Sequence, residues 1–240
     1  MKILVIGGCG YTGTILVEKL LELGHKVLVI DSQWFGNYLK RGKNLTIIKK
    51  DIRKFESKFL SGINTVVHLA NIANDPGVEL NPDLSWEVNV LATKKIIEYA
   101  IEKKIKHFIY ASSGSVYGVK KEKKVTEDLT CNPISIYNKT KIIAERVLLS
   151  YSNKIKIHCI RPATVCGFSP RMRIDVSVNM FIYQALQKGK ITVFGGSQIR
   201  PNININDLTN IYIHFINNPK IKTGNYNAGF ENLKIIDIAK

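Results

Sequence analysis

The feature that most constrains the fold is a turn with three regularly spaced glycines between a strand-like and a helix-like segment. The apolar run "KILVI" at 2–6 precedes the turn "GGCGYTG" at 7–13, and the apolar-periodic "TILVEKLLEL" follows it and ends before Gly24. The first segment predicts a buried strand and the second an amphipathic helix. A strand that passes into a helix through such a turn is typical of α/β proteins with a parallel sheet.

Gly7, Gly10 and Gly13 each have a separate physical reason to be glycine. Gly7 permits the tight turn, Gly10 lets the backbone approach a pyrophosphate, and Gly13 allows the helix to pack closely on the strand. The free N–H groups and the partial positive charge at the start of the helix then face the phosphates. Tyr11 and Thr12 lie between the last two glycines and belong to the same predicted cofactor site.

An acidic residue ends the second predicted strand, "KVLVI" at 26–30. Asp31 follows the glycine turn by about 20 residues, the spacing of a dinucleotide-binding unit. Its carboxylate would accept hydrogen bonds from the adenosine ribose hydroxyls and would repel a 2′-phosphate. Since no Arg or Lys follows directly in "DSQWFG", the sequence predicts NAD rather than NADP. The alternative is a turn of glycines and a helix-capping aspartate without a ligand.

Short apolar runs alternate with helical patterns over residues 1–166, which predicts βαβ units. We therefore predict an α/β fold, a Rossmann-like doubly wound parallel sheet, with residues 1–166 as an NAD-binding domain that also carries the catalytic residues. The further predicted strands are at 45–49, 65–70, 107–112 and 156–163, and the predicted helices are at 12–23, 82–101 and 136–151.

The alternation is weaker in residues 167–240, which are expected to form a small C-terminal substrate-side lobe interleaved with late elements of the sheet. A helix in "DVSVNMFIYQALQKG" that ends at Gly189 and a short strand "ITVF" are predicted there. The final "NLKIIDIAK" is typical of the first turns of an amphipathic helix, and no capping residue follows it. We therefore expect the sequence to be a truncated form of a longer chain.

The ends of the third and fourth predicted strands face the same crevice as the glycine turn. Asp51 and Ile52 in "KKDI" could flank an adenine, and Ala70 and Asn71 in "HLANIA" would lie near the middle of the cofactor. An ordinary loop role is an equal alternative for both pairs.

A tyrosine and a lysine lie one helical turn apart in "YNKTK". Tyr137 and Lys141 would share one face of a helix. Free tyrosine ionises near pH 10, and a nearby ammonium group would favour the phenolate and lower that pKa. Tyr137 could then take the proton of a substrate hydroxyl as hydride passes to NAD, while Ser113 in "YASSGSVYG" hydrogen-bonds the same oxygen. The alternative is a solvent-exposed helix pair.

These motifs, together with "WEVNVLATKKIIEYA" and "RPATVCG", resemble the extended short-chain dehydrogenase/reductase family along essentially the whole chain. Its members are mostly NAD-dependent nucleotide-sugar epimerases, dehydratases and related oxidoreductases. The resemblance implies that Tyr137 is the acid/base, that Lys141 binds the nicotinamide ribose and that Ser113 orients the substrate hydroxyl. It also implies that the segment opened by Arg161 and Pro162 lines the nicotinamide side.

The resemblance extends to residues of the substrate side and to one structural asparagine. Asn89 in "VNV" is expected to support its helix, whereas Asn179 in "VNM" and Arg200 in "GGSQIRPNININD" are expected to contact the nucleotide diphosphate. A guanidinium group suits a diphosphate on its own chemistry. Arg171 and Arg173 in "SPRMR" could hold a phosphate or a distal part of the sugar, and a solvated basic loop is the alternative.

Gly114 and Ser115 follow Ser113 where the family's sugar 4,6-dehydratases carry an Asp-Glu pair that performs elimination. Their presence disfavours dehydration and leaves oxidation of a ring carbinol, at C4, to a 4-keto sugar nucleotide. The keto sugar would be re-reduced on its other face, as in an epimerase, or released, as by a dehydrogenase. The chain also resembles enzymes of bacterial capsule clusters, including GDP-heptose 4-dehydrogenases, which implies a role in capsule or surface-polysaccharide biosynthesis.

The net charge of +16 would suit nucleic acid, a membrane surface or an anionic substrate. The lysines form short clusters such as "EKKIK" without interleaved aromatic residues, so we expect no nucleic-acid partner. No run approaches the roughly 18 apolar residues that span a bilayer, so no membrane association is expected. The four cysteines lack metal-ligand spacing, which indicates reduced thiols in a cytoplasmic protein and no metal site.

The expected partner is therefore a GDP-, UDP- or dTDP-linked sugar. By resemblance, the helices at 82–101 and 136–151 are also expected to pair with those of a second subunit in a homodimer. A non-catalytic NAD-binding regulatory or scaffold protein of the same fold is the alternative function.

Overall fold

A computed structural model describes residues 1–122 and 124–240. The strands carry the longest apolar runs of the chain, and most of their side chains in the first six strands are buried. The strands are β1 (Lys2–Ile6), β2 (Lys26–Asp31), β3 (Leu45–Lys49), β4 (Thr65–His68), β5 (His107–Ala111), β6 (Lys156–Pro162), β7 (Thr164–Cys166), β8 (Ile199–Asn204), β9 (Gly224–Ala228) and β10 (Glu231–Lys234).

Helices follow most of these strands, and several begin at a side-chain cap. Ser135, for example, accepts a hydrogen bond from the Asn138 N–H at the start of its helix. The helices are α1 (Tyr11–Glu22), α2 (Asp75–Glu79), α3 (Pro82–Trp86), α4 (Thr93–Glu102), α5 (Ile136–Leu149), α6 (Ser177–Lys188), α7 (Ile205–Asn217) and α8 (Ile235–Ala239).

The main sheet has seven strands in the order β3-β2-β1-β4-β5-β6-β9, and all of its neighbours pair in parallel. Its first six strands have the order of the doubly wound dinucleotide-binding fold, so the predicted fold class is confirmed. One apolar core fills the space under α4 and α5, and a second lies on the other face under α1 and α7. The order of strands along the chain reverses direction between β1 and β4. In sheets of this type the ligand crevice lies at the carboxyl ends of the two strands where the reversal occurs.

The predicted helix at 82–101 is three elements rather than one. A π-helical segment, Glu87–Ala92, separates α3 from α4. Asn89 lies in this segment, and its amide accepts from the Ile72 N–H at 2.8 Å and donates to Ile72 O and to Thr140 Oγ1, both at 3.1 Å. Asn89 thus joins the loop after β4 to α5, as a structural support.

The late elements differ more from the sequence prediction. The predicted strand "ITVF" is wrong, because residues 191–194 pair with no strand of the described chain. The predicted helix in "NLKIIDIAK" begins only at Ile235, since the preceding residues form β10 and pair with β8 in a second, three-stranded sheet. In the described chain no helix is long and apolar enough to cross a bilayer.

Candidate active site

The glycine turn leaves backbone exposed where a phosphate could approach. Gly7 has φ +85°, and a Cβ there would lie 2.5 Å from Ala70 N, while a Cβ on Gly13 would lie 2.4 Å from Gly7 O. A Cβ on Gly10 would meet only Gly7 O within 4 Å, so the other side of Gly10 is open. No side chain caps α1, and its first N–H groups, from Tyr11 and Thr12, lack helical partners. The turn therefore fits the diphosphate of a dinucleotide.

Asp31 is held in a fixed orientation beside this turn. Its Oδ2 accepts from the Cys9 N–H at 3.0 Å and its Oδ1 accepts from the Gln33 N–H at 2.7 Å. Each oxygen keeps a further lone pair for a ribose hydroxyl. Partial burial raises the pKa of Asp31, whereas the two backbone hydrogen bonds and the positive charge of Arg171 oppose that rise. The geometry fits an NAD ribose.

The four residues at the ends of β3 and β4 divide into different roles. Asp51 caps a short turn and pairs with Arg53 at 2.6 Å, and Ile52 is buried in the core. Ala70 lies against Gly7. Asn71 donates to Leu69 O at 3.0 Å, but its buried Oδ1 has no partner in the described chain. An unpaired buried carbonyl is the polar group that a ligand would satisfy.

The predicted catalytic residues converge at the end of β5 and the start of α5. Ser113 is the second residue after β5, and its Oγ lies 2.7 Å from Ser115 Oγ, which donates to Asn138 at 2.6 Å. Lys141 is 1% exposed, and its Nζ donates to Ala111 O at 2.7 Å and lies 5.9 Å from the centre of the Tyr137 ring. Tyr137 is partly buried one turn before Lys141.

The electrostatic surroundings of the tyrosine include a second cation, Arg173, besides the predicted Lys141. Burial raises the pKa of Tyr137, whereas the Arg173 cation and the Ser113 hydroxyl lower it. Burial also lowers the pKa of Lys141 to about 7, a change that the nearby Glu145 carboxylate opposes. The Lys141 ammonium donates to the Ala111 carbonyl and lies 5.9 Å from the centre of the Tyr137 ring, so Arg173 is a second cation near the phenol.

Arg173 is held by residues that the sequence analysis missed. Its guanidinium forms two hydrogen bonds with Asp175, at 3.0 and 2.6 Å, and Asn74 donates to the same carboxylate. Asn74 lies in the loop after β4, about 100 residues away along the chain. This contact joins the loop after β4 to the substrate-side segment, and no local sequence pattern predicts it.

Asn179 joins the substrate-side segment to the glycine turn. Its Oδ1 accepts from the Gly167 N–H at 3.0 Å, and its Nδ2 donates to Tyr11 Oη at 3.1 Å and to Arg173 O at 2.8 Å. The Tyr11 hydroxyl in turn donates to Gly167 O at 2.7 Å. Both amide hydrogens of the buried Asn179 therefore bond to the protein itself, which leaves no donor for the predicted contact with a diphosphate.

Arg200 lies on the protein surface, whereas Pro162 lies close to the backbone that follows Ser113. Arg200 lies exposed on β8, where Nη2 donates to Gln198 Oε1 at 3.2 Å. Pro162 ends β6, and its carbonyl oxygen lies 3.2 Å from the position that a Cβ on Gly114 would take. The backbone after Ser113 thus packs closely on β6.

A buried ion pair behind the site was also missed. Glu145 and Arg161 are 1% and 3% exposed, and they form two hydrogen bonds at 2.9 and 2.7 Å. Arg161 also donates to Tyr117 Oη at 2.7 Å, and Ser112 donates to Glu145. The pair joins α5, β6 and the end of β5. The sequence signal was present, because Glu145 lies four residues after Lys141 on the same helix face.

Comparisons with known proteins agree with this geometry. The profile of the NAD dependent epimerase/dehydratase family matches residues 3–229. A UDP-glucose 4-epimerase of Lactobacillus helveticus is 28% identical over 100% of this chain and 81% of its own length. An uncharacterized UDP-glucose epimerase of Bacillus subtilis is 35% identical over 82% of this chain and 66% of its own length. A solved UDP-glucuronic acid 4-epimerase of Bacillus cereus, in complex with UDP-glucuronic acid and NAD, is 30% identical, with a TM-score of 0.86 over 99% of this chain and 80% of that one.

Proposed function

Because this chain belongs to the NAD-dependent epimerase/dehydratase family, we propose that it epimerises a UDP-linked sugar at C4 through a 4-keto intermediate. The predicted family and the predicted cofactor, NAD, are confirmed by this membership. UDP is preferred over GDP and dTDP because the similar proteins are named for UDP sugars. The observation that carries the proposal is the convergence of Ser113 after β5, Tyr137 at the start of α5 and a buried Lys141, whose Nζ donates to Ala111 O at 2.7 Å and lies 5.9 Å from the centre of the Tyr137 ring.

In the proposed reaction, Tyr137 Oη takes the proton of the C4 hydroxyl and Ser113 Oγ donates a hydrogen bond to the same oxygen. NAD, when bound, would supply a reversible hydride acceptor for this carbon. On re-reduction from the opposite face of the ring, Tyr137 Oη would return the same proton to the C4 oxygen, which gives the sugar with inverted configuration at C4. Gly10, Tyr11 and Asp31 would hold the diphosphate and ribose of the cofactor, and Lys141 would hold the nicotinamide ribose.

The residues after Ser113 support redox chemistry at C4 over elimination. Gly114 has no side chain and packs against the Pro162 carbonyl, and the Ser115 hydroxyl donates to Asn138. Loss of water across a C–C bond requires an additional acid and base. Neither residue provides one, so 4,6-dehydration remains disfavoured.

The proposal extends to the setting of the reaction. We place the chain in the cytoplasm, in the synthesis of capsule or another bacterial surface polysaccharide, and as a homodimer through the helices at 82–101 and 136–151. In the structure α4 and α5 pack side by side against one face of the main sheet. Leu91, at 60% exposure, lies just before α4 on this surface and would be covered by the second subunit.

The experiment for the proposed function is product analysis of the purified chain with NAD and a panel of UDP-, GDP- and dTDP-linked sugars. We expect mass spectrometry and NMR to show a C4 epimer of a UDP sugar without net formation of NADH. A released keto sugar with an equal amount of NADH would instead make the chain a dehydrogenase. Tight NAD binding with no turnover on any sugar would favour the non-catalytic NAD-binding alternative.

A pH profile tests the electrostatic role of Arg173. Removal of its charge in Arg173→Met takes away the group that lowers the pKa of Tyr137. The pKa should therefore rise, and the increase of kcat/KM with pH, which follows phenolate formation, should move to higher pH. Arg173→Lys restores a positive charge and should recover part of the shift. An unchanged profile in Arg173→Met would show that Arg173 does not act on the phenol.

A further inference from the structure

Two segments from distant parts of the chain meet beside Asp31 through an exposed aromatic ring. Phe35, in the loop after β2, is 64% exposed, and the Arg171 guanidinium lies 3.9 Å from the centre of its ring. Tyr38 and Arg173 help to line a cavity of about 350 Å³ between the two segments. A stack of a guanidinium group on an exposed aromatic ring orders both side chains over this space.

Both segments are anchored to the glycine turn. On one side, Asn37 Oδ1 accepts from the Leu39 N–H at 3.0 Å and from the Cys9 thiol at 3.6 Å. On the other side, the buried Ser169 hydroxyl donates to Tyr11 O at 2.9 Å. Cys9 and Tyr11 belong to the turn that fits the diphosphate. The stack of Phe35 on Arg171 therefore lies above a rigid frame built on that turn.

Arg171 is in direct contact with no carboxylate of the described chain. In the described chain Arg171 forms no ion pair, and its Nη1 donates to Met172 O at 3.1 Å. Burial and the neighbouring Arg173 cation both lower the pKa of Arg171, whereas Asp175, Tyr38 and Asp31 raise it. A partly buried guanidinium next to a second cation is stabilised by an added anion. Its remaining N–H groups are free to donate to that anion.

We propose that Arg171, stacked on Phe35, forms a clasp over the adenosine ribose and diphosphate of NAD and slows release of the cofactor. The inference rests on the proposed function, because it requires NAD at the glycine turn and Asp31. It adds a consequence for the outcome of the reaction. An epimerase must keep the reduced cofactor until the hydride returns, and slow release of the adenosine half ensures that it does.

The clasp is tested with fragments of the cofactor and does not require turnover. We expect Arg171→Ala to speed dissociation of ADP-ribose tenfold or more in stopped-flow measurements on the full chain, because it removes the charge and the stacking plane. Phe35→Leu should speed dissociation of ADP-ribose several-fold. Arg171→Lys keeps the charge without the planar group, so its dissociation rate should lie between those of Arg171→Ala and Phe35→Leu. Binding of nicotinamide mononucleotide should be unchanged in all three variants.

Matched controls are available on other surfaces of the chain. Lys220→Ala removes an exposed cation between α7 and β9, and Phe230→Leu changes a ring that is 82% exposed after β9. Both should release ADP-ribose at the wild-type rate, and circular dichroism should show that every variant is folded.

The possible failures are distinguishable. Wild-type release rates in Arg171→Ala and Phe35→Leu would overturn the clasp and leave the proposed function intact. Equal losses of ADP-ribose and nicotinamide mononucleotide affinity would also overturn it, because they would indicate a general change of the crevice. A wild-type chain that binds neither NAD nor ADP-ribose would overturn the proposed function and the clasp together.

Discussion

Tyr137→Phe is expected to lower turnover of a UDP sugar by a factor on the order of 10²–10⁴, the usual contribution of a general acid–base group. The substitution keeps the ring on α5 and removes only the oxygen that carries the proton. Ser113 stays in place, but its hydroxyl can only hydrogen-bond the substrate oxygen and is no base at neutral pH. The loss should appear in kcat, since the phenol acts on the reacting oxygen.

Binding of NAD separates this effect from a general loss of structure. The groups expected to hold the diphosphate and the adenosine ribose, at Gly10 and Asp31, do not contact the Tyr137 hydroxyl. We therefore expect NAD affinity within about twofold of the wild-type value by calorimetry, well below the tenfold that corresponds to 1.4 kcal/mol. Tyr99→Phe, on α4, provides the control and should leave both turnover and NAD binding unchanged. Full turnover by Tyr137→Phe would remove the phenol from the mechanism.

The elements predicted from the sequence are those whose signal is local. β1 and β2 are buried on both faces of a parallel sheet, so each contains a continuous run of four apolar residues. The helical pair of Tyr137 and Lys141 is likewise defined by spacing alone. The missed strand β8, "IRPNIN", contains a proline and buries only two of its six residues, so its pattern is weak.

Contacts between distant segments could not be predicted in this way. The four-residue spacing predicted that Lys141 shares a helix face with Tyr137. It did not predict that the Lys141 ammonium donates to the Ala111 carbonyl. The bridge from Asn74 to Asp175 joins loops whose order in the sequence carries no information about their distance. Tertiary packing decides the electrostatics of the site, and a single sequence does not encode it in any local pattern.

Removal of one partner of the buried ion pair is the second large expected effect. Glu145→Gln leaves the Arg161 guanidinium in the core without a countercharge, and such a change costs about 3–5 kcal/mol in the free energy of unfolding. Arg161 cannot release its proton to avoid this cost. Denaturant unfolding followed by circular dichroism measures the difference, with the Lys94–Glu98 pair on α4 as the control. That pair is solvent-exposed, so Glu98→Gln should unfold at the wild-type denaturant concentration.

A double variant distinguishes the loss of a contact from the cost of an unpaired charge. In Glu145→Leu with Arg161→Met both charges are absent, so most of the stability lost in Glu145→Gln should return. The free energy of unfolding of the double variant should stay below the wild-type value by about 1 kcal/mol for each missing hydrogen bond, because Ser112 and Tyr117 lose their partners. If the double variant were as unstable as Glu145→Gln, the pair itself, and not the stranded arginine, would be what stabilises the junction of α5, β5 and β6.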